Sequence, residues 1–301
     1  MPTRMYVTCP SIAIQNPSER GNVLKRARTW AEALGWEVVP SPLLARYHQP
    51  GVWLPAEARA EDMARALDHE AVWCCKGGYG AVHLVPDLLA MRPAGRPLLI
   101  GYSDITVLHA CWRVGGFGPA LYGTLGERAE DSRQGAALDA LLRGRPLVVS
   151  GETEPAGRVL RPGGVRAPLF AACLVVLASL CGTPAFPDLR GCILAIEDID
   201  ERPYAIDFAL SQLFLAGQLE GVAGLIGGAF HHESRADYGG PAVDEVLLAW
   251  AERLGVPAVA RVPFGHLDDH LPLPSGAPAE LRAGADGAWS LSWGAGALFG
   301  Q

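Results

Sequence analysis

The chain is a succession of short, largely uncharged apolar runs, closed by glycine, proline or charged residues and separated by stretches with helical spacing. Met5 to Thr8, Ala71 to Cys75, Pro97 to Ile100, Ala120 to Tyr122, Cys192 to Ile196, Ala223 to Ile226 and Ala258 to Val262 are too short for helices. They are also too apolar for strands with one wet face. A strand that is apolar on both sides must be covered on both sides. With helices between the strands, a parallel sheet carrying helices on both faces meets that demand. The expected fold class is therefore α/β.

Local signals fill in the order. Asn16 is placed to cap a helix with Pro17 at its first position, running to Leu34 and ending at Gly35. Glu37 to Val39 reads as a strand. Pro55 to Leu67, Tyr204 to Gly217 and Ala242 to Leu254 read as helices, and Ala279 to Trp293 as a hairpin turning at Asp286-Gly287. The uncharged run of about 13 residues from Leu169 to Cys181 reads as a buried core helix, too short for a bilayer. Between 143 and 166 the pattern breaks, with Gly144, Pro146, Gly151, Pro155, Gly157, Pro162, Gly163 and Gly164. The expected organisation is an N-terminal domain over 1–143, a linker over 144–166 with room for a strand at Leu147 to Ser150, and a C-terminal domain over 167–301.

Composition narrows the function classes. The chain has 301 residues, 50% hydrophobic and 19% charged, which supports a sizeable core and excludes a disordered chain. Lys plus Arg number 25 against 32 for Asp plus Glu, a net charge of −7. That balance disfavours nucleic acid as a partner, because phosphates require a basic footprint. The N-terminal run carries Arg4 and ends at Pro10, so it lacks the arrangement of a signal peptide. Seven cysteines, an odd number with no C-x-x-C pair, fit buried thiols in a reducing cytoplasm. No membrane partner is expected.

Four segments that could carry chemistry each follow a predicted strand, where sites of open α/β sheets lie. Lys76-Gly77-Gly78-Tyr79-Gly80 could bring backbone N–H groups close to a ligand, or could simply turn the chain into a helix. Gly101-Tyr102-Ser103-Asp104-Ile105 half matches the hydrolase elbow G-x-S-x-G, with Ile105 where the second glycine would stand. Ser103 could equally be a helix N-cap. Glu197, Asp198, Asp200 and Glu201 form either a solvated acidic turn or the source of a histidine-orienting carboxylate. His266, after Val262-Pro263-Phe264-Gly265, could be a general base or a turn residue. The clusters His231-His232-Glu233 and Asp268-Asp269-His270 invite a metal reading, but neither has H-E-x-x-H spacing, and no metal is expected. Serine, carboxylate and histidine thus appear in chain order, as a hydroxyl nucleophile requires a base and the base requires an orienting acid.

Together these segments resemble the LD-carboxypeptidases, the serine peptidase family of the murein tetrapeptide carboxypeptidases and microcin C self-immunity hydrolases. The matching residues are Gly77-Gly78-Tyr79-Gly80, Gly101 to Thr106 with Leu108, Gly182-Thr183-Pro184, Ile196-Glu197-Asp198 with Glu201 to Asp207 and Gln212-Leu213, and Gly265-His266. The resemblance implies a flavodoxin-like, parallel-sheet N-terminal domain joined to a smaller C-terminal α/β domain. It implies that Ser103 attacks, His266 takes its proton and Glu197 orients His266. The N–H groups of Gly78 and Asp104 would form the oxyanion hole, and Lys76, Gly77, Tyr79 and Tyr102 would meet the substrate. No cofactor is implied. The implied reaction is hydrolysis of an L,D amide near the C-terminus of a murein-derived peptide, in peptidoglycan recycling, by a cytoplasmic homodimer. The alternatives are a peptidyl-nucleotide of the microcin C type as substrate, or a non-catalytic binding relative. Two departures bear on substrate: Lys76 replaces an arginine, and Ala171-Ala172-Cys173-Leu174-Val175 stands where the family has G-G-N-L-S.

Overall fold

The computed structural model describes residues 2–46, 54–129, 132–231 and 239–299. The first half alternates strand and helix: β1 (Arg4–Thr8), α1 (Pro17–Leu34), β2 (Glu37–Pro40), α2 (Ala56–Ala66), β3 (Ala71–Cys74), α3 (Val85–Ala90), β4 (Leu98–Gly101), α4 (Thr106–Gly115) and β5 (Ala120–Tyr122). The five strands pair in parallel in the order β2-β1-β3-β4-β5. This is the flavodoxin-like order, in which ligands approach the carboxyl ends of the strands. Helix α1 forms where its signals put it. Asn16 accepts from the Glu19 N–H at 2.9 Å, Pro17 takes the first position, and Gly35 ends the helix at φ 70.

The second half adds α5 (Arg133–Leu142), β6 (Leu147–Ser150), β7 (Arg158–Arg161), β8 (Gly163–Cys173), α6 (Leu174–Ser179), β9 (Ile193–Ile199), α7 (Pro203–Leu215), β10 (Gly224–His231), α8 (Val243–Leu254), β11 (Ala258–Ala260), β12 (Leu273–Ser275), β13 (Pro278–Ala283) and β14 (Trp289–Trp293). Here an eight-stranded sheet runs β6-β14-β13-β8-β9-β10-β11-β7, with β8 to β11 parallel and the flanking strands antiparallel. Strand β12 leaves this half and pairs antiparallel with β5, closing the edge of the first sheet. The two sheets share a continuous apolar core, in which Leu108, Cys111 and Trp112 of α4 join Phe170 and Ala172 of β8 and Leu177 of α6.

Two expectations are corrected. Leu169 to Cys181 is not one helix: its first five residues finish β8, and α6 begins only at Leu174. The run is apolar without a period, which suits a doubly buried strand as well as a helix. Pairing with β9, from Leu169↔Ile193 to Cys173↔Glu197, decides for strand. The segment 144–166 is not a free connection either. It carries β6, β7 and the start of β8, all paired within the second sheet.

The acidic cluster near the C-terminus has structural employment. Asp269 accepts from the N–H groups of Arg133 and Gln134, at 3.0 and 2.8 Å, at the start of α5. His270 donates from Nδ1 to the Leu267 carbonyl and accepts at Nε2 from Thr124 and Gln134. Of the other cluster, His231 ends β10, while His232 and Glu233 lie outside the described residues. All seven cysteines are free thiols. No helix among the described residues is long and apolar enough to cross a membrane.

Asp269→Ala strips two N-terminal amides of α5 of their acceptor. It should destabilise the protein by about 1 kcal/mol, the usual cost of a lost helix cap, read as a lower urea midpoint at unchanged slope.

Candidate active site

The nucleophile candidate sits at the carboxyl end of β4, where the chain turns sharply into α4. Ser103 is in the left-handed region at φ 64, a conformation that costs a residue with a Cβ about 1–2 kcal/mol. Its neighbours accommodate that turn. A Cβ on Gly77 would stand 2.9 Å from the Ser103 Cβ, so only glycine lets the two loops approach this closely. A Cβ on Gly101 would lie 2.6 Å from Cγ2 of Ile105. The missing second glycine of the hydrolase elbow is thus compensated: the absent side chain at Gly101 makes the room that Ile105 fills.

A hydrogen-bonded chain leads away from the serine. The Ser103 Oγ lies 3.0 Å from His266 Nε2, and His266 Nδ1 lies 2.7 Å from Glu197 Oε2. The carboxylate can only accept, so Nδ1 carries the proton and Nε2 presents its lone pair to the serine hydroxyl. Glu197 is fully buried near the end of β9. It receives two more donors, the Tyr122 hydroxyl on Oε1 at 2.7 Å and the His266 N–H on Oε2 at 3.3 Å. Gly265, at φ 99, is where the chain must pass. A Cβ there would lie 2.5 Å from the carboxylate, so glycine alone brings His266 into reach.

The carboxylates in and just after the end of β9 separate by role. Glu197 alone reaches His266. Asp198, on the opposite side of the strand, accepts from the Val175 and Ile199 N–H groups and from the Cys173 thiol. Burial, with the charge of Glu197 beside it, pushes the Asp198 carboxyl up to about 6. Asp200 turns at φ 64, its N–H on the His231 carbonyl. The sequence Ala171 to Val175, expected beside the site, is there as strand and helix start. Cys173 pairs with Glu197 across β8 and β9, and its N–H is held by the Thr106 hydroxyl.

The glycine loop after β3 is pinned from two sides. The Asp104 carboxylate accepts from the Ala81 N–H at 2.9 Å. The buried Arg59 donates from Nη1 to the carbonyls of Pro10 and Gly80 at 2.6 and 2.9 Å. Among the described residues, neither the Gly78 nor the Asp104 N–H has a protein acceptor. Lys76 is committed to Glu19, Nζ to Oε1 at 2.6 Å. Tyr79 is exposed, and Tyr102 packs against both His266 and His270 with ring centroids 5.2 Å apart.

Sequence reasoning missed Tyr122, Arg59 and the Asp104 carboxylate. Tyr122 joins both halves of the site, its hydroxyl accepting from the Ser103 N–H at 3.2 Å while donating to Glu197. Burial, with Glu197 adding to it, holds the phenol far above its usual range, so it remains a donor. Its only signal in the sequence is a tyrosine ending an apolar strand.

Burial opposes the charged form of His266, but the hydrogen bond and charge of Glu197, helped by Asp198 and Asp200, outweigh it and raise the imidazole above 6.5. A raised histidine adds stability that is full below the unfolded value, and that stability is lost as pH climbs through the folded one. Nuclear magnetic resonance titration should therefore find His266 above 6.5 in the wild type. In Glu197→Gln the charge is gone, burial dominates and the value should fall below 6.5. The strained turn gives a second expectation. Ser103→Gly should be more stable to urea than Ser103→Ala by about 1 kcal/mol, since both lose the hydroxyl but only glycine relieves the left-handed strain.

The chain is similar to known proteins over most of its length. The LD-carboxypeptidase N-terminal domain matches residues 6–123, and the LD-carboxypeptidase C-terminal domain matches residues 166–281. A carboxypeptidase homologue of Streptomyces coelicolor is 34% identical over 268 residues, covering 83% of each chain. A Bacillus subtilis protein named as a probable murein peptide carboxypeptidase is 30% identical over 273 residues, covering 86% of this chain and 84% of its own. The muramoyltetrapeptide carboxypeptidase of Oxalobacter formigenes superposes with a TM-score of 0.79 at 27% identity, over 97% of this chain and 99% of that one. Both family domains match in order across most of its length, and the chain belongs to the LD-carboxypeptidase family of serine-type carboxypeptidases.

Proposed function

We propose that this protein hydrolyses the L,D amide bond near the C-terminus of a murein-derived peptide, with Ser103 as nucleophile, His266 as general base and Glu197 as the residue that orients it. The observation that carries the reading is the unbroken chain from Ser103 Oγ to His266 Nε2, and from His266 Nδ1 to Glu197, at 3.0 and 2.7 Å. A serine hydroxyl is a weak nucleophile until a base within this distance takes its proton. Fixing the Nδ1–H on a buried carboxylate keeps the basic nitrogen towards the serine. The murein peptide as substrate is supported by the names of the Bacillus and Oxalobacter relatives.

Ser103 Oγ attacks the scissile carbonyl as its proton passes to His266 Nε2. The imidazolium so formed is stabilised by the carboxylate of Glu197. The N–H groups of Gly78 and Asp104 receive the developing oxyanion, each such donor being worth about 2.7–4 kcal/mol in the transition state. His266 then protonates the leaving amine, and water repeats the sequence on the acyl-enzyme. Asp104 serves twice in this reading, its N–H towards the oxyanion and its carboxylate holding Ala81 behind the Gly78 loop. Lys76, bound to Glu19, shapes that loop, with Gly77, Tyr79 and Tyr102 lining the approach.

The test is mass spectrometry of a murein tetrapeptide (L-Ala, D-Glu, diaminopimelate, D-Ala) incubated with enzyme. The wild type should release D-Ala, and Ser103→Ala should lower the rate by roughly four orders of magnitude or more while the fold persists. The rate should rise with pH through a value above 6.5, as His266 loses its proton. Release undiminished in Ser103→Ala removes the serine mechanism. Cleavage of a peptidyl-nucleotide but not of the tetrapeptide replaces the substrate and keeps the mechanism.

A further inference from the structure

Tyr122 ends β5, buried between the strand that leads to the serine and a strand that follows the histidine. Its backbone is paired with Gly101 of β4 on one side and with Leu273 of β12 on the other. Its ring is wedged as well. The Tyr102 and His109 ring centroids stand 6.3 and 5.4 Å from it, and that of Phe264, two residues before His266, stands at 6.4 Å. A phenol mounted in a close-packed interior has little freedom to redirect its hydroxyl.

That hydroxyl serves three partners. It donates to Glu197 Oε1 at 2.7 Å and accepts from the Ser103 N–H at 3.2 Å. The Thr106 hydroxyl bonds the same oxygen. The phenol proton is committed to the carboxylate, so Thr106 is the donor in that bond, while its own oxygen accepts from the Cys173 N–H at 2.9 Å. Donors thus run one way, from Cys173 through Thr106 and Tyr122 to Glu197. Hydrogen bonds aligned in this manner polarise and strengthen one another. Two consequences bear on the reaction. The Ser103 amide is turned to the phenol and is therefore not free to meet an oxyanion. With Oε1 held by the phenol, Oε2 is left for His266, whose Nδ1 and backbone N–H both reach it.

We propose that Tyr122 is a positioning residue for the hydrolysis: its hydroxyl fixes the turn that presents Ser103 and reserves one oxygen of Glu197 for His266. This role rests on the assignment of Ser103, His266 and Glu197 given above. Tyr122 is buried behind those three residues and acts only through them.

Tyr122→Phe removes the hydroxyl and keeps the ring. Glu197 then has one donor fewer, its charge bears more fully on the imidazole, and the imidazolium is favoured. Asp198 and Asp200, which also raise His266, and His270 beyond the Tyr102 ring are untouched by the substitution. Nuclear magnetic resonance titration should find the affinity of His266 for its proton raised about threefold or more over the wild type. The acid limb of D-Ala release should move to higher pH with it. Above that limb, kcat should fall by about ten- to a hundredfold at nearly unchanged KM, because a misaimed serine slows the chemistry without weakening binding. A tyrosine fluorinated beside its hydroxyl, placed at 122, is a stronger donor and should move His266 the opposite way. Loss of packing alone does not reverse in this manner. A His266 titration unmoved in Tyr122→Phe, or a defect confined to KM, would overturn the role of Tyr122. The titration requires no substrate, so a wild type that releases no D-Ala would remove the proposed substrate and leave the test of Tyr122 in force.

Discussion

One fully buried carboxylate organises the site. Glu197 receives the phenol of Tyr122 together with the imidazole N–H and the backbone N–H of His266, two residues that lie far apart in the chain. Removing one partner of a buried charge typically costs about 3–5 kcal/mol, so these contacts are demanded by stability as much as by chemistry. Tyr122 ends a strand of the first sheet, while His266 follows a strand of the second. The carboxylate thus ties the two sheets together at the point where their loops meet. Gly265 is the price of that meeting, because any side chain there would collide with the group it serves.

The serine is held by the opposite logic, a strained backbone supported from outside. Ser103 occupies a left-handed conformation that its own side chain disfavours. Tyr122 holds its N–H, and Gly77 and Gly101 leave space on either side. Asp104, the next residue, fastens the neighbouring glycine loop through Ala81, and Arg59 fastens it through Gly80. The Gly78 and Asp104 amides, the proposed oxyanion donors, thus lie on segments that are bonded to each other. Preorganisation of this kind stabilises a transition state without reorganisation during the reaction.

Much of this was legible in the sequence wherever local chemistry decides structure. Asn16, Pro17 and Gly35 mark the ends of α1, and β5 and β6 lie where their apolar residues put them. Ser103, Glu197 and His266 were visible because each follows an apolar strand. What was not legible depends on partners far along the chain. Leu169 to Cys173 is strand only because β9 lies beside it. Helix α5 has its own cap in Ser132, but the amides of Arg133 and Gln134 in its first turn are taken by Asp269, more than a hundred residues later. Tyr122 and Arg59 gain their importance from contacts across 75 and 49 residues. No periodicity or motif encodes such a separation.

The departure at Ala171 to Val175 can now be weighed physically. Ala171 and Ala172 are wholly buried on the two opposite faces of β8, Ala172 in the core shared with α4 and Ala171 in the cluster that holds Tyr122 and Phe264. Cys173 is different. It stands in register with Glu197, and its thiol turns to Asp198, whose second oxygen receives the first turn of α6 through Val175. Burial and these two carboxylates raise the thiol far above its ordinary range, so it is a neutral donor and no nucleophile. Burial and the charge of Glu197, against the opposing pull of the Val175 N–H and the Cys173 thiol, leave Asp198 able to lose its charge near pH 6. Loss of that charge removes one of the groups that raise His266, and it relaxes the grip on α6 at the same time. The segment that differs from its family therefore acts on the site through Asp198, along a path that leaves the serine, histidine and glutamate in place.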